Sequence, residues 1–146
     1  MKLLVLNGPN LNLLGIREPE KYGKEDYAAL LAKIDGYAQA HSVTIDVKQS
    51  NHEGVLVDLI QEARGVYDGL VINPAAYTHT SIAILDAILA VGIPTVEIHI
   101  SDVSRREAFR QVSYVREAAI ATVMGEGTDG YLHALDLLIQ HLKEQL

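Results

Sequence analysis

Short apolar runs alternate along this chain with longer segments in which apolar residues recur at helical spacing. Brief apolar runs bounded by turn residues are typical of strands that are buried on both faces of a parallel sheet. The predicted strands are Lys2–Leu6, Val43–Gln49, Leu70–Ile72, Thr95–Ile100 and Ala118–Met124. The predicted helices are Glu25–His41, Glu53–Arg64, Thr80–Val91 and Tyr131–Gln145, with a loop and a short helix over Ser101–Gln111.

This alternation predicts an α/β protein with a parallel sheet and helices on both of its faces. Five strands favour the flavodoxin-like order 2-1-3-4-5, with right-handed crossovers and a switch point between the first and third strands. A chain of 146 residues corresponds to about one domain, so residues 1–146 are predicted to form a single unit. In this order the carboxyl ends of strands one, three and four lie side by side.

The stretch from Gly69 to Ser81 is predicted to be the middle strand and one wall of a ligand site. Its apolar residues give way to polar ones, Asn73 first and then Tyr77 to Ser81, before a new helical segment begins. Ligands in open α/β sheets bind outside the carboxyl ends of the strands. Asn73 could instead cap the next turn, and Thr78, Thr80 and Ser81 could cap the third helix.

The segment Asn7–Gly23 is rich in glycine and proline, which predicts a long loop. Loops of this length in compact domains are usually functional or disordered, and the leucines of this one favour packing. It contains Arg17 and Tyr22. A nearby guanidinium favours the phenolate form of tyrosine and lowers its pKa, so the pair could supply a base. The alternative is a surface tyrosine stacked on a surface arginine.

Glu97 and His99 lie two residues apart in the fourth strand, which places them on the same face of the sheet. Near the strand end the carboxylate could orient the imidazole, and histidine is the usual general acid near neutral pH. The alternative is a buried histidine whose hydrogen bonding is satisfied by Glu97.

Other motifs are weaker. His79, His99 and Glu97 have the composition of a histidine–carboxylate metal site, but no closely spaced histidine motif supports one, and no metal is predicted. The arginines at positions 105, 106 and 110 would ordinarily form a solvated helix face. Neither the phosphate-loop motif nor the dinucleotide-binding glycine fingerprint is present.

Composition excludes several classes of function. The chain has no cysteine, so disulfides, thiolate zinc sites and cysteine nucleophiles are excluded, and a cytoplasmic protein is expected. Its formal net charge of −7 argues against nucleic acid as a partner. No apolar run reaches the length of a membrane span, and the first apolar run is too short for a signal peptide.

The sequence resembles the type II 3-dehydroquinate dehydratases. The resemblance is carried in order by NGPNLNLLGIREPEKYG, SNHEG, INPAAYTHTS, EIHIS, REAFR and the final GYLHAL, over nearly the whole chain. It implies a hydro-lyase that removes water from 3-dehydroquinate, a small anion, to give 3-dehydroshikimate without cofactor or metal. That reaction serves both shikimate biosynthesis and quinate breakdown.

The resemblance also implies roles for individual residues. Tyr22 is similar to the base that removes the proton beside the ketone, and Arg17 to the group that lowers its pKa. His99 is similar to the acid that protonates the departing hydroxyl, and Glu97 to the group that orients it. The remaining matches are Asn73 for a water that stabilises the enolate, His79 for a substrate hydroxyl, Ile100 and Ser101 for the substrate carboxylate, and Arg110 at the far side of the site.

The family assembles as dodecamers built from trimers, and Asp86 matches a residue that reaches a neighbouring subunit's site. Four positions depart from the family pattern: Ala75, Leu85, Asp102 and Ser104. Asp102 would either face the substrate carboxylate or cap the short helix at Ser104. Two alternative functions are a flavodoxin-like binding module, which bound flavin would reveal by its colour, and an inactive structural oligomer.

Overall fold

The computed structural model describes residues 1–16 and 25–146 of the chain. Five strands form one parallel sheet: β1 Lys2–Asn7, β2 Thr44–Gln49, β3 Gly69–Asn73, β4 Thr95–His99 and β5 Ala121–Met124. The strand order is β2-β1-β3-β4-β5, and every neighbouring pair is parallel. The predicted fold class and strand order are confirmed.

In the described residues, four α-helices cover the two faces of the sheet: α1 Tyr27–His41, α2 Glu53–Glu62, α3 Ile82–Val91 and α4 Asp129–Glu144. Alternate side chains of β1 show how the faces divide. Leu3 and Val5 pack with α1 and α4, whereas Leu4 and Leu6 pack with α2 and α3. All of the central strand β3 is buried, as its continuous apolar run predicts. No helix in the described part of the chain is long and apolar enough to cross a membrane.

The element boundaries differ from the predicted ones where local hydrogen bonds intervene. Helix α1 begins at Tyr27 because the Asp26 side chain accepts a hydrogen bond from the Ala29 N–H. Helix α3 begins at Ile82 because Ser81 caps it in the same way. The fifth strand begins at Ala121 rather than Ala118, since Val115–Ala118 is a 3-10 helix. Sequence periodicity does not distinguish so short a helix from the start of a strand.

The ends of β1 and β3 approach each other closely. Asn7 and Asn73 are register partners, and the Gly8 N–H donates to the Asn73 carbonyl at 2.7 Å. A Cβ atom on Gly8 would lie only 2.6 Å from the Pro74 carbonyl oxygen, so only glycine fits here. Ile72 of β3 is in turn the register partner of Glu97 in β4. The three strand ends therefore meet at one edge of the sheet.

Candidate active site

A cavity lies at this edge, outside the carboxyl ends of β1, β3 and β4. Its walls come from the segment after β1, from the 3-10 helix Ala75–His79, and from the residues that follow β4. Six of the predicted site residues line it: Asn73, His79, His99, Ile100, Ser101 and Arg110. The convergence predicted from strand order therefore holds for these side chains.

Glu97 lies beneath the cavity rather than in its wall. Its side chain is fully buried, and His99 Nε2 lies 2.7 Å from Glu97 Oε2. A carboxylate only accepts, so the imidazole donates through Nε2 and its Nδ1 is the nitrogen left for other contacts. His99 is buried and also lines the cavity. Its position therefore fits both a buried histidine that is satisfied by Glu97 and a histidine that faces the site.

Among the described residues, three hydroxyl groups surround Glu97, and sequence reasoning predicted none of these contacts. Thr78 and Ser113 donate to Oε2 at 2.6 and 2.7 Å, and Thr122 donates to Oε1 at 3.2 Å. Arg116 Nε lies 3.3 Å from Oε1. Thr78 does not cap α3, as one interpretation held; it donates to this carboxylate.

These contacts decide the charge of Glu97. Burial by itself raises the pKa of a carboxyl group, but the hydrogen bond and the charge of His99, with the Thr78 and Ser113 hydroxyls, outweigh it. Together they lower the pKa of Glu97 to about 2. Glu97 is therefore ionised at neutral pH and can hold a protonated imidazole in place.

His79 lines the cavity from the 3-10 helix Ala75–His79. Its Nδ1 lies 2.7 Å from the Val112 carbonyl oxygen, so this nitrogen carries the proton and donates. Burial lowers the pKa of His79, and the charges of His99 and Arg110 add to this, against the opposing hydrogen bond to Val112. His79 is thus favoured in its neutral form, with Nε2 available as an acceptor.

Asn73 is fixed on both sides of its amide. Its Oδ1 accepts from the Ala75 N–H at 3.1 Å, so Asn73 does cap the next turn, as the alternative interpretation held. Its Nδ2 donates to the Tyr131 hydroxyl at 2.9 Å, and that hydroxyl donates to Asn7 Oδ1 at 2.7 Å. Asn7 Nδ2 lies 3.3 Å from the Tyr27 hydroxyl, which continues the chain.

Burial raises the pKa of Tyr131 and of Tyr27, so both hydroxyls stay neutral in this chain of hydrogen bonds. Sequence reasoning missed Tyr131 because it lies in the last helix, far from the other site residues in sequence. The only signal was its place in the GYLHAL segment.

The three arginines do not share one environment. Arg105 is a solvated residue, with 86% of its side chain exposed, as expected for a helix face. Arg106 and Arg110 instead line the cavity. Arg110 Nε is held by Glu107 Oε2 at 2.7 Å, and its guanidinium lies over the Phe109 ring. The cavity wall is therefore cationic although the whole chain is acidic.

One predicted residue lies elsewhere in the structure, and two are not among the described residues. Asp86 is exposed on α3 and does not line this cavity. Arg17 and Tyr22 fall outside the described residues. Within residues 1–16 and 25–146, no group of three histidine, aspartate or glutamate side chains is placed to hold a metal ion.

Comparison with known proteins decides the family. The family model "Dehydroquinase class II" matches residues 1–139. The chain belongs to this family. The predicted resemblance is confirmed over almost the whole length of this class II dehydroquinase.

Named relatives and solved structures of dehydroquinases agree with that assignment. A 3-dehydroquinate dehydratase of Pectobacterium carotovorum subsp. carotovorum (strain PC1) is 51% identical over 96% of this chain and 93% of its own. A catabolic 3-dehydroquinase of Verticillium alfalfae (strain VaMs.102) is 51% identical over 97% of this chain and 95% of its own. The crystal structure of type II dehydroquinase from Butyrivibrio crossotus DSM 2876 superimposes with a TM-score of 0.94 and 48% identity, covering 95% of this chain and 97% of that one.

The departures of this dehydroquinase from the family pattern have visible local effects. Ala75 has a φ of 52°, in the left-handed region that favours glycine, so this turn carries strain. Asp102 accepts hydrogen bonds from the Ser104 N–H and hydroxyl, which confirms the capping interpretation, and Arg105 Nε lies 3.4 Å from its other oxygen. Asp102 does not line the cavity.

Proposed function

We propose that this chain removes water from 3-dehydroquinate to give 3-dehydroshikimate, as a hydro-lyase. The reaction takes a proton from the carbon beside the ketone and expels a hydroxyl as water. The observation that carries the proposal is the buried Glu97–His99 pair, whose imidazole lines a cationic cavity, in a chain about half identical to proteins named for this activity.

His99 is the proposed acid. Hydroxide is a poor leaving group, so the departing hydroxyl needs a proton from a positioned donor. Glu97 occupies Nε2 of the ring, so a proton delivered toward the cavity leaves from Nδ1. Glu97 orients the ring before the transfer. Once the ring has given up its proton, Nε2–H still donates to Glu97 and keeps the ring in place.

Tyr22 is the proposed base, and Arg17 is the group that makes the phenolate accessible at neutral pH. Both lie outside the described residues, so their roles rest on the sequence match alone. A phenol is a weak base because its ordinary pKa is near 10, and an adjacent guanidinium lowers that value. A guanidinium beside the phenolate also suits this step, because removal of a proton next to a carbonyl creates negative charge.

The remaining polar groups bind the substrate and stabilise the enolate. Asn73 Nδ2 spends one hydrogen on Tyr131, and its second is available to a water that donates to the enolate oxygen. His79, neutral and accepting through Nε2, receives a substrate hydroxyl. The substrate carboxylate lies against the backbone at Ile100 and Ser101, and Arg110 supplies positive charge on the far side.

Asp86 is proposed to act in the site of a neighbouring copy. It lies on an exposed helix face between Ile82 and Leu89, which are 53% and 59% exposed. An apolar helix face in water is typical of a surface that another chain covers. We propose that α3 contacts a second copy in a trimer and that trimers form the dodecamer. We also propose that the enzyme is cytoplasmic, because a chain without cysteine needs no oxidising compartment to form disulfides.

An ultraviolet assay tests the activity directly. The product has a conjugated enone that the substrate lacks, so absorbance should rise when purified protein meets 3-dehydroquinate. Absence of turnover in a folded protein would contradict the proposal and favour the inactive-oligomer alternative. A yellow protein whose visible absorbance is removed with its flavin would instead favour the binding module.

A further inference from the structure

His99 and Arg116 both contact Glu97, and only His99 takes part in the proposed acid–base chemistry. His99 contacts Oε2 at 2.7 Å, and Arg116 Nε contacts Oε1 at 3.3 Å. The two donors use different oxygens of one carboxylate, so they do not compete for it. Among the described residues that contact Glu97, Arg116 alone carries a charge that does not change with pH near neutrality.

The burial of the two partners is unequal. Glu97 is 0% exposed, whereas the Arg116 side chain is 42% exposed. A buried carboxylate without a cation is costly, even when hydroxyl groups hydrogen-bond to it. A half-exposed guanidinium costs much less to hold in place, because water still solvates part of it. Arg116 can therefore balance the negative charge of Glu97 at every pH near neutrality, from a partly exposed position.

We propose that Arg116 is a positioning residue that acts through Glu97 and allows His99 to release its proton. The inference rests on the proposed role of His99 as the acid. When the ring is protonated, Glu97 has two cationic neighbours, and after proton transfer it has only Arg116. Without Arg116 the buried carboxylate would then face neutral groups alone, so the pair would hold its proton more tightly.

The other described residues that contact Glu97 are neutral. The 3-10 helix Ala75–His79 contributes Thr78, which is neutral, and His79, which interacts electrostatically with both Glu97 and His99. Thr122 from β5 and Ser113 contribute only hydroxyls. Arg110 acts on His79 and is held by Glu107. None of these supplies a second permanent cation in contact with Glu97.

Three variants test the proposal. Arg116→Gln removes the charge and retains a hydrogen-bond donor, Arg116→Lys retains the charge, and Arg64→Gln removes an exposed arginine that follows α2. We expect Arg116→Gln to lower kcat at neutral pH about two- to threefold, a modest loss because the guanidinium is partly solvated. The limb of the kcat–pH profile on which the acid loses its proton should move up by roughly half a pH unit. Arg116→Lys should restore most of both effects, and Arg64→Gln should behave as wild type.

An unchanged kcat and an unmoved limb in Arg116→Gln would overturn the inference. A variant that loses activity and thermal stability while its limb stays in place would show a structural role only, which also overturns it. Failure of the wild type to turn over 3-dehydroquinate would instead contradict the proposed function. In that event, NMR titration of the His99 ring still decides the inference, because the pH at which its signals shift should rise in Arg116→Gln.

Discussion

The Tyr131 hydroxyl holds the Asn73 side chain in one orientation, because it accepts from Asn73 Nδ2 at 2.9 Å while donating its own proton to Asn7. Tyr131 is fully buried in α4, and the two asparagines are register partners at the ends of β1 and β3. A helix on one face of the sheet therefore fixes an amide in the wall of the cavity.

Replacement of Tyr131 by phenylalanine should weaken both stability and turnover. The ring still fills its space, but Asn73 and Asn7 lose a buried partner, which costs about 1–3 kcal/mol in the free energy of unfolding. We expect kcat to fall several-fold, since the Asn73 amide becomes free to turn. Urea denaturation and the ultraviolet assay measure the two effects.

Tyr67→Phe is the matched control, because its hydroxyl bonds to Asp46 at 2.5 Å, away from the cavity. It should retain wild-type kcat. A Tyr131→Phe enzyme with full kcat would show that Asn73 needs no support from Tyr131.

Tyr22→Phe should abolish turnover and leave the fold intact, because only the phenolic oxygen is lost. Removal of a general acid–base group lowers the rate by about 10²-fold or more, and we expect at least that loss in kcat. Circular dichroism should match the wild type. Near-normal kcat in the folded variant would remove Tyr22 from the role of base.

Glu97 should make the stability of the protein depend on pH under acidic conditions. Its folded-state pKa of about 2 lies below its ordinary value of 4.5, so the folded chain binds fewer protons than the unfolded chain between these values. The Glu97 contribution to stability is therefore complete above pH 4.5 and decreases as the pH falls toward 2.

Denaturation of wild type and Glu97→Gln from pH 6 to pH 2 measures this contribution as the difference in slope. Glu126→Gln is a suitable control, since that carboxylate is on the surface beside His133. Equal slopes for wild type and Glu97→Gln would mean that Glu97 is not preferentially ionised in the folded state.

The exposed face of α3 should control assembly. Ile82→Glu places a charge on the surface proposed to contact a second copy, so it should shift the sedimentation coefficient toward smaller species and lower activity. Asp86→Asn should keep the assembly and lower kcat/KM, because only the neighbour's site loses a charge. Val66→Glu is the control, as Val66 is also exposed but belongs to the turn between α2 and β3 rather than to α3. A fully active monomer would contradict the proposed role of Asp86.

Asp102→Asn should leave KM unchanged even at low ionic strength. The carboxylate is occupied by Ser104 and Arg105 and does not line the cavity, so it has little influence on a bound anion. Asparagine is also a good capping residue, so the melting temperature should change little. A several-fold lower KM at low salt would show that Asp102 does repel the substrate.

The sequence was sufficient to predict the sheet and the meeting of Asn73, His79 and His99, because strand order alone brings those strand ends together. It did not predict the contacts of Glu97 with Ser113 and Arg116. Those residues lie in a segment of short 3-10 turns, which have no periodicity strong enough to place a side chain. Tyr131 was missed for a related reason, since helical spacing indicates that its side chain is buried but not which residues its hydroxyl contacts.

The contact between Gly8 and Pro74 has a consequence for how this enzyme can vary. The spacing of the two loops depends on an absent methyl group, because even a Cβ at position 8 would clash with the Pro74 carbonyl. Substitutions can therefore alter the cavity walls at Leu11, Leu13 or Val103, whereas position 8 at the end of β1 is restricted to glycine. The backbone contact therefore sets the separation of the two loops at this edge of the sheet, whereas side chains shape the other walls of the cavity.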